Sequence, residues 1–297
     1  MSIISLDLTK TLQRYIRTLL AVCLVGAILL PPPVMADDSL VVGIFPRRNA
    51  TDTMRMFTPL VEYLSSKLGR KVRLVTSKDF KSFWKGVLEQ RYDIVHYNQL
   101  NYIQSHKEVG YQVILKNAEF GHSTIAGAIA TRKDTGITSI KQLKGKKIVF
   151  GGGRSAMMSY IVPTALLRKA GLKQGDYTEE FARNPPNALL AGYFGQADAA
   201  GVGDVAVRLP IVTSKIDTSK MVFLATSKPM AHLPWATKQS MHPALRTRIQ
   251  SILANLSNTE EGRRILKQAA LTDLVVAKDS EYDPHRKLIR QVLGKEY

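Results

Sequence analysis

Cysteine is almost absent from this chain: the 297 residues hold one, Cys23. Acidic residues are scarce as well, with 24 Asp and Glu against 42 Lys and Arg, a formal net charge of +18. Beyond residue 36 there is no long apolar run, Gly/Ser linker, internal repeat or low-complexity tract. The absences reach to motifs. There is no G-x-S-x-G elbow, no H-E-x-x-H and no Walker loop, and Gly151-Gly152-Gly153-Arg154-Ser155 lacks the Lys-Ser/Thr that a phosphate loop needs. The six histidines are dispersed. A hydrolase is therefore a poor reading, and no enzyme is expected. The basic balance favours anionic ligands or surfaces. Nucleic acid is not expected, because the Lys and Arg residues are scattered, with no long basic run or reading motif.

What is present begins with a targeting segment. Lys10, Arg14 and Arg17 precede an apolar stretch from Thr18 to Leu30, then Pro31-Pro32-Pro33 and Val34-Met35-Ala36. Small residues before a cut suit signal peptidase, so residues 1–36 read as a signal peptide cleaved after Ala36, with export to the periplasm. A retained anchor is the rival reading, but the run falls short of the ~20 residues a spanning helix needs. A lipoprotein reading of Cys23 meets the bulky Val22 and a position midway through the apolar run. Cleavage removes three cations and one anion (Lys10, Arg14, Arg17, Asp7), lowering +18 to +16. It also removes the cysteine, excluding disulfides, thiol catalysis and thiolate metal sites. About 260 residues remain, enough for two modest lobes.

Those residues alternate short apolar runs with amphipathic segments, the pattern of an α/β protein. Strands are expected at Val41–Phe45, Val72–Thr76, Asp93–Tyr97 and Gln112–Leu115, with helices at Thr53–Leu68 and Phe80–Gln90 between them. Ile125–Thr131 is an extended segment long enough to leave the first lobe. A second αβ series follows, with a strand at Lys147–Phe150, a glycine turn, a helix at Ala156–Ala170, and strands at Glu179–Ala182 and Ala197–Val202. Met221–Ala225 is expected to carry the chain back. The predicted architecture is two αβ lobes joined by a two-segment hinge, lobe 1 from residues 37–131 plus 229–297 and lobe 2 from 132–228. A ligand is expected in the cleft between them.

Particular phrases carry a resemblance. Val41-Val42-Gly43-Ile44-Phe45-Pro46, Asp79-Phe80, Tyr92-Asp93-Ile94-Val95-His96-Tyr97, Ser139 to Phe150, Gly151 to Pro163, Asn187-Ala188-Leu189 and Ala197-Asp198-Ala199 occur in order across nearly the whole mature chain. Together they resemble the phosphate/phosphite/phosphonate-binding receptors of ABC importers. The resemblance implies a type II periplasmic binding protein fold, a small anionic ligand, no cofactor, a monomer and a membrane permease as partner. An alternative keeps the fold and changes the partner, to a membrane histidine kinase or diguanylate cyclase read through a ligand-sensing receptor.

In that family a Ser-Thr-Ser run at the start of the middle-lobe helix grips the anionic head, where helix N-termini offer free N–H groups and partial positive charge. Here the run is Ala156-Met157-Met158, flanked by Gly153, Arg154, Ser155 and Ser159. The resemblance further places Phe80, Tyr97, Asn184 and Asp204 at ligand contacts, and a late acidic position near Leu233, beside His232. The partial loss of acids points to a ligand less amine-like than an aminoalkyl phosphonate. Arg47, with Arg48 and Asn49, follows the first strand, where open α/β sheets bind ligands, and a forked guanidinium suits an oxyanion. The other reading of that loop is a solvated turn. Met157, Met158, Met230, His96 and His232 combine soft thioethers with imidazoles, a set that suits Cu(I). Their spacing forms no ligand motif, so an adaptable apolar pocket is expected instead, and no metal.

Overall fold

The computed structural model describes residues 39–297. The expected signal peptide, its cut after Ala36, and Cys23 lie outside the described residues. Among the described residues, no helix is long and apolar enough to cross a membrane.

The first half runs β1 (Leu40–Ile44), α1 (Ala50–Leu68), β2 (Val72–Val75), α2 (Phe80–Leu88), β3 (Ile94–His96), α3 (Gln99–Val109), β4 (Gln112–Ala118), β5 (Thr124–Ile125) and β6 (Gly127–Arg132). The middle adds β7 (Lys147–Gly151), α4 (Val162–Lys169), β8 (Thr178–Ala182), α5 (Pro185–Tyr193), β9 (Ala199–Gly203), the short α6 (Pro210–Thr213) and β10 (Met221–Thr226). The rest is β11 (Met230–Ala231), β12 (Pro234–Thr237), α7 (Pro243–Ala254), α8 (Glu260–Gln268), β13 (Asp273–Val276) and α9 (Asp283–Leu293).

The strands form a six-stranded sheet, β13-β4-β12-β3-β1-β2, and a five-stranded sheet, β10-β6-β9-β7-β8. The first holds both ends of the described chain and the second holds the middle. Each is the centre of one lobe. Alternation along the strands gives each sheet two apolar faces. In β3, Ile94 joins Leu60, Leu64 and Ile249 from α1 and α7, while neighbouring Val95 joins Phe83, Ile103 and Ile289 from α2, α3 and α9. In β7, Val149 meets Ala188 and Leu189 of α5, and Phe150 sits with Ile161 and Leu167 beside α4.

Local signals set the helix ends. Asn49 Oδ1 accepts the Asp52 N–H at 2.8 Å, so α1 begins at Ala50 rather than Thr53. Gly69 ends it in the left-handed region (φ 64°), where a glycine carries no Cβ penalty. The middle-lobe helix departs from its expected form. It opens with a π-helical turn, Met157–Ile161, before α4. Such turns are rare and frequent at functional sites.

The segments that change sheet pair with each other: β5 and β11 are antiparallel, Met230 opposite Ile125 and Ala231 opposite Thr124. The first change of sheet falls ahead of Gly127, because β6 pairs with β9 in the second sheet. Nor does Met221–Ala225 carry the chain back. As β10 it covers the outer edge of β6, Val222 opposite Thr131, and the return comes at β11.

Candidate ligand-binding cleft

A cavity of about 260 Å³ lies between the sheets. That is slightly below the ~300–1,000 Å³ usual for ligand pockets, room for a small ligand only. One wall belongs to the first lobe: Phe45 and Arg47 after β1, Phe80 at the start of α2, Asn98 and Gln99 entering α3, and Leu233. The facing wall is the Gly151–Gly153 turn, Ser155 to Ser159, Arg183 to Pro185, and a stretch from Gly203 that includes Val205 and Leu209. These segments follow the carboxyl ends of β1, β3, β7, β8 and β9, where open α/β sheets leave a crevice. Gly151 is required there: a Cβ on it would stand 2.3 Å from Pro185 Cα.

The lining offers donors far more than acceptors. Asn98 Oδ1 caps α3 by accepting the Asn101 N–H at 2.8 Å, and Asn184 Oδ1 caps α5 through Asn187 N–H at 3.0 Å. Each cap engages the amide oxygen and leaves the NH₂ uncommitted. The Ser159 hydroxyl donates to the Gly151 carbonyl. Among the described residues, the N–H groups of Met157, Met158 and Ser159 have no acceptor in the chain, as a helix start dictates. Arg47 Nη1 donates to Glu119 at 3.2 Å, whereas Arg183, at the other wall, has no carboxylate partner among the described residues. The lining contains no Asp, Glu, His, Lys or Cys among the described residues.

Residues 42–282 match the sequence profile of the ABC transporter, phosphonate, periplasmic substrate-binding protein family. The chain belongs to this family. The phosphonates-binding periplasmic protein of Escherichia coli K12 is 20% identical over 259 residues, covering 85% of this chain and 76% of that protein. PhnD1 of Prochlorococcus marinus, solved in complex with methylphosphonate, has a TM-score of 0.77 at 16% identity, over 88% of this chain and all of that one. A binding protein component of an ABC phosphonate transporter from Pseudomonas aeruginosa has a TM-score of 0.74 at 14% identity, over 87% of each chain. The two-lobed fold is thus that of a type II periplasmic binding protein, and the chain is a periplasmic substrate-binding component of the ABC phosphonate transporter family.

The residues expected to contact ligand in this binding protein separate into two groups. Arg47, Phe80, Gly153, Ser155, Ala156, Met157, Met158, Ser159 and Asn184 line the cavity. Tyr97, Arg154, Asp204 and His232 do not. Tyr97 is fully buried behind the wall, hydroxyl to hydroxyl with Ser105 at 2.7 Å, and burial pushes its pKa well up. Arg154 turns to the surface, donating to Glu179 at 2.8 Å and lying 5.8 Å from the Phe181 ring centre. Asp204 Oδ1 accepts the Ala126 N–H at 3.1 Å and its own N–H donates to the Ala126 carbonyl, so it ties β9 to the first crossing. His232 is buried beneath the cleft, its Nδ1 accepting the Leu233 N–H at 2.8 Å.

His232 belongs to a buried polar cluster under the first-lobe wall. Its Nε2 lies 3.8 Å from Glu119 Oε2 and has no hydrogen-bond partner. Burial drives its pKa down to about 4, against the pull of Glu119. Burial alone would raise Glu119, but Arg47, His232 and Arg48 outweigh it and hold the carboxyl below its ordinary value. Arg48 is lowered to about 10 by burial and then by Arg47. Asn117 connects the cluster to the core, accepting the Trp235 indole N–H at 2.8 Å. His96 stacks on Trp235 (centroids 4.5 Å apart) and its Nδ1 is 3.0 Å from the Pro234 carbonyl. Neither imidazole reaches the cavity wall beside Met157 and Met158, and no group of three or more His, Cys, Asp or Glu is arranged for a metal among the described residues.

Lining residues that went unread in the sequence include Asn98, Gln99, Arg183 and the apolar Val205, Ala206 and Leu209. Asn98 and Asn184 share a signal, an asparagine three residues ahead of a helical N–H, and only Asn184 drew attention. Arg183, one residue earlier, looks like any loop cation.

Proposed function

We propose that this protein captures a small anion in the cleft between its lobes, closes about the paired β5–β11 crossing, and presents the ligand to an ABC permease. The observation that carries this reading is the donor-rich, carboxylate-free lining, to which both lobes contribute. The absence from that lining of any His, Asp, Glu, Lys or Cys among the described residues leaves no side chain suited to general acid–base work, which favours binding over turnover. The lobes are built on the two sheets, a first from Ser39 to about Ile125 plus about Met230 to Tyr297, and a second between them. The exported form begins at Asp37 and acts as a monomer.

A thermal-shift panel of inorganic oxyanions, phosphonates, sulfonates, carboxylates and amino acids tests the reading. At a hundred times its Kd, a bound anion adds ~2.7 kcal/mol of stability. For a chain of this size that raises Tm by roughly 5–10 °C. A panel in which no anion moves the melting transition overturns the proposal.

A further inference from the structure

We infer that the cleft selects an organic monoanion with an apolar body, a short alkyl chain or a single ring ending in a sulfonate or carboxylate, over a dianionic or amine-bearing phosphonate. The inference rests on the cleft being the ligand site, and it follows from three features of the lining.

Charge comes first. Arg47 faces Glu119 at 3.2 Å, a carboxylate that Arg48 also faces, so its positive charge is already partly met before a ligand arrives. Arg154 is paired with Glu179 and stands outside the cavity. Arg183 is the one lining cation with no carboxylate against it among the described residues. Within the lining that leaves one cation without a carboxylate, a match for one negative charge; Arg48, which shares Glu119 with Arg47, is not among the lining residues. A second negative charge would enter a partly desolvated site with only neutral donors to meet it.

Polarity is the second feature. Helix capping engages the oxygens of Asn98 and Asn184, both lining residues, which leaves each NH₂ as the uncommitted polar group. With no Asp or Glu in the lining, an ammonium group has no anionic acceptor. An aminoalkyl ligand would exchange the hydration of its amine for neutral acceptors alone, chiefly the oxygen of the Gln99 amide, whose NH₂ already donates to the Ala231 carbonyl at 3.2 Å.

Third, much of the wall is carbon. Phe80 leaves 46% of its surface exposed, with Phe45 beside it at a centroid distance of 6.2 Å. Leu233, Met158 and Leu209 complete the apolar lining. Where hydroxyls would cradle three equivalent oxygens, Ala156, Met157 and Met158 supply methyl and thioether surface that adapts to an alkyl or ring outline. The backbone N–H groups of Met157, Met158 and Ser159 remain to receive the head group.

Calorimetric titration with butane-1-sulfonate, hexane-1-sulfonate, hexanoate, methylphosphonate and 2-aminoethylphosphonate decides the matter. The expected result is that hexane-1-sulfonate or hexanoate binds more tightly than either phosphonate, and that the sulfonates gain about fourfold in affinity per added methylene. The two hexyl ligands separate a sulfonate head from a carboxylate. Arg183→Gln should weaken both by roughly tenfold or more while the unliganded melting temperature holds. Tighter binding of methylphosphonate or 2-aminoethylphosphonate, no dependence on chain length, or no effect of Arg183→Gln overturns the inference and leaves the anion-binding reading standing. If none of the five binds, the inference fails, while the anion-binding reading falls only if the inorganic oxyanions of the thermal-shift panel leave the melting transition unmoved as well.

Discussion

Acidification from pH 7 towards pH 4.5 lowers the stability of this protein steeply, with most of the loss falling below pH 6.5. Three histidines cause it. His96, His232 and His285 are buried (2%, 0% and 0% exposed), and burial lowers their pKa values to about 3, 4 and 3. An unfolded chain titrates the same side chains near 6.5. A depressed histidine pKa means that the unfolded state takes up protons first as pH falls. The stabilisation is complete above about pH 6.5 and drains away as pH drops towards the folded-state values. Each histidine then costs up to ~1.4 kcal/mol per pH unit, about 4 kcal/mol per unit for the three together. Against a typical stability of ~5–15 kcal/mol, the ~8 kcal/mol lost over two units is half of it or more. Urea melts at pH 7, 6 and 5 measure the slope. His285→Phe should remove about a third of it, because His285 sits on the inner face of α9, away from the Glu119 cluster. A stability that stays flat from pH 7 to pH 5 would sink the account of these buried imidazoles.

Glu119→Gln lowers stability by about 3 kcal/mol, equivalent to a fall in Tm of roughly 6–12 °C. Glu119 is 5% exposed and is the carboxylate that Arg47, Arg48 and His232 all face. Its removal leaves the two guanidiniums repelling each other beneath the cleft wall with no counter-charge. Removing one partner of a buried pair costs ~3–5 kcal/mol, and the lower end applies because the Arg47 side chain keeps 20% of its exposure. Glutamine preserves size and one acceptor, so a large loss reports charge rather than packing. Arg47→Gln in the same background should restore part of the stability, since it removes a cation that Glu119 no longer balances. A Glu119→Gln protein within 0.5 kcal/mol of the parent, on the scale of ordinary surface substitutions, would show that the cluster is solvated.

The alternation of apolar runs and amphipathic segments made the αβ order legible, because each strand buries two faces and each helix one. The family resemblance, rather than that pattern, pointed to Ala156-Met157-Met158 as the ligand loop, and all three line the cavity. Side-chain direction was not legible. Asp204 follows its strand as a ligand-binding acid would, yet its carboxylate is taken by the Ala126 N–H, a partner 78 residues away. His232 sits between Ala231 and Leu233 in a segment buried on both sides, and only the packing of Glu119 behind it separates a core histidine from a ligand contact. Tyr97 follows the same pattern, turned inward to Ser105. The changes of sheet were misplaced for a related reason. β6 and β10 are extended whichever sheet they join, and the pairing of β6 with β9, with β10 on its other edge, decides the matter.

The central claim is that a small anion bound between the lobes draws them together, and an interlobe distance tests it most directly. The chain's single cysteine, Cys23, belongs to the expected signal peptide, so the exported form takes engineered labels cleanly. Spin labels at Lys81→Cys on α2 and Gln196→Cys just beyond α5 report on opposite lobes from exposed positions. Saturation with hexane-1-sulfonate or methylphosphonate, whichever calorimetry finds to bind more tightly, should shorten and narrow the distance distribution, and sodium chloride at equal ionic strength should not. An unchanged distribution with the anion demonstrably bound would contradict the account.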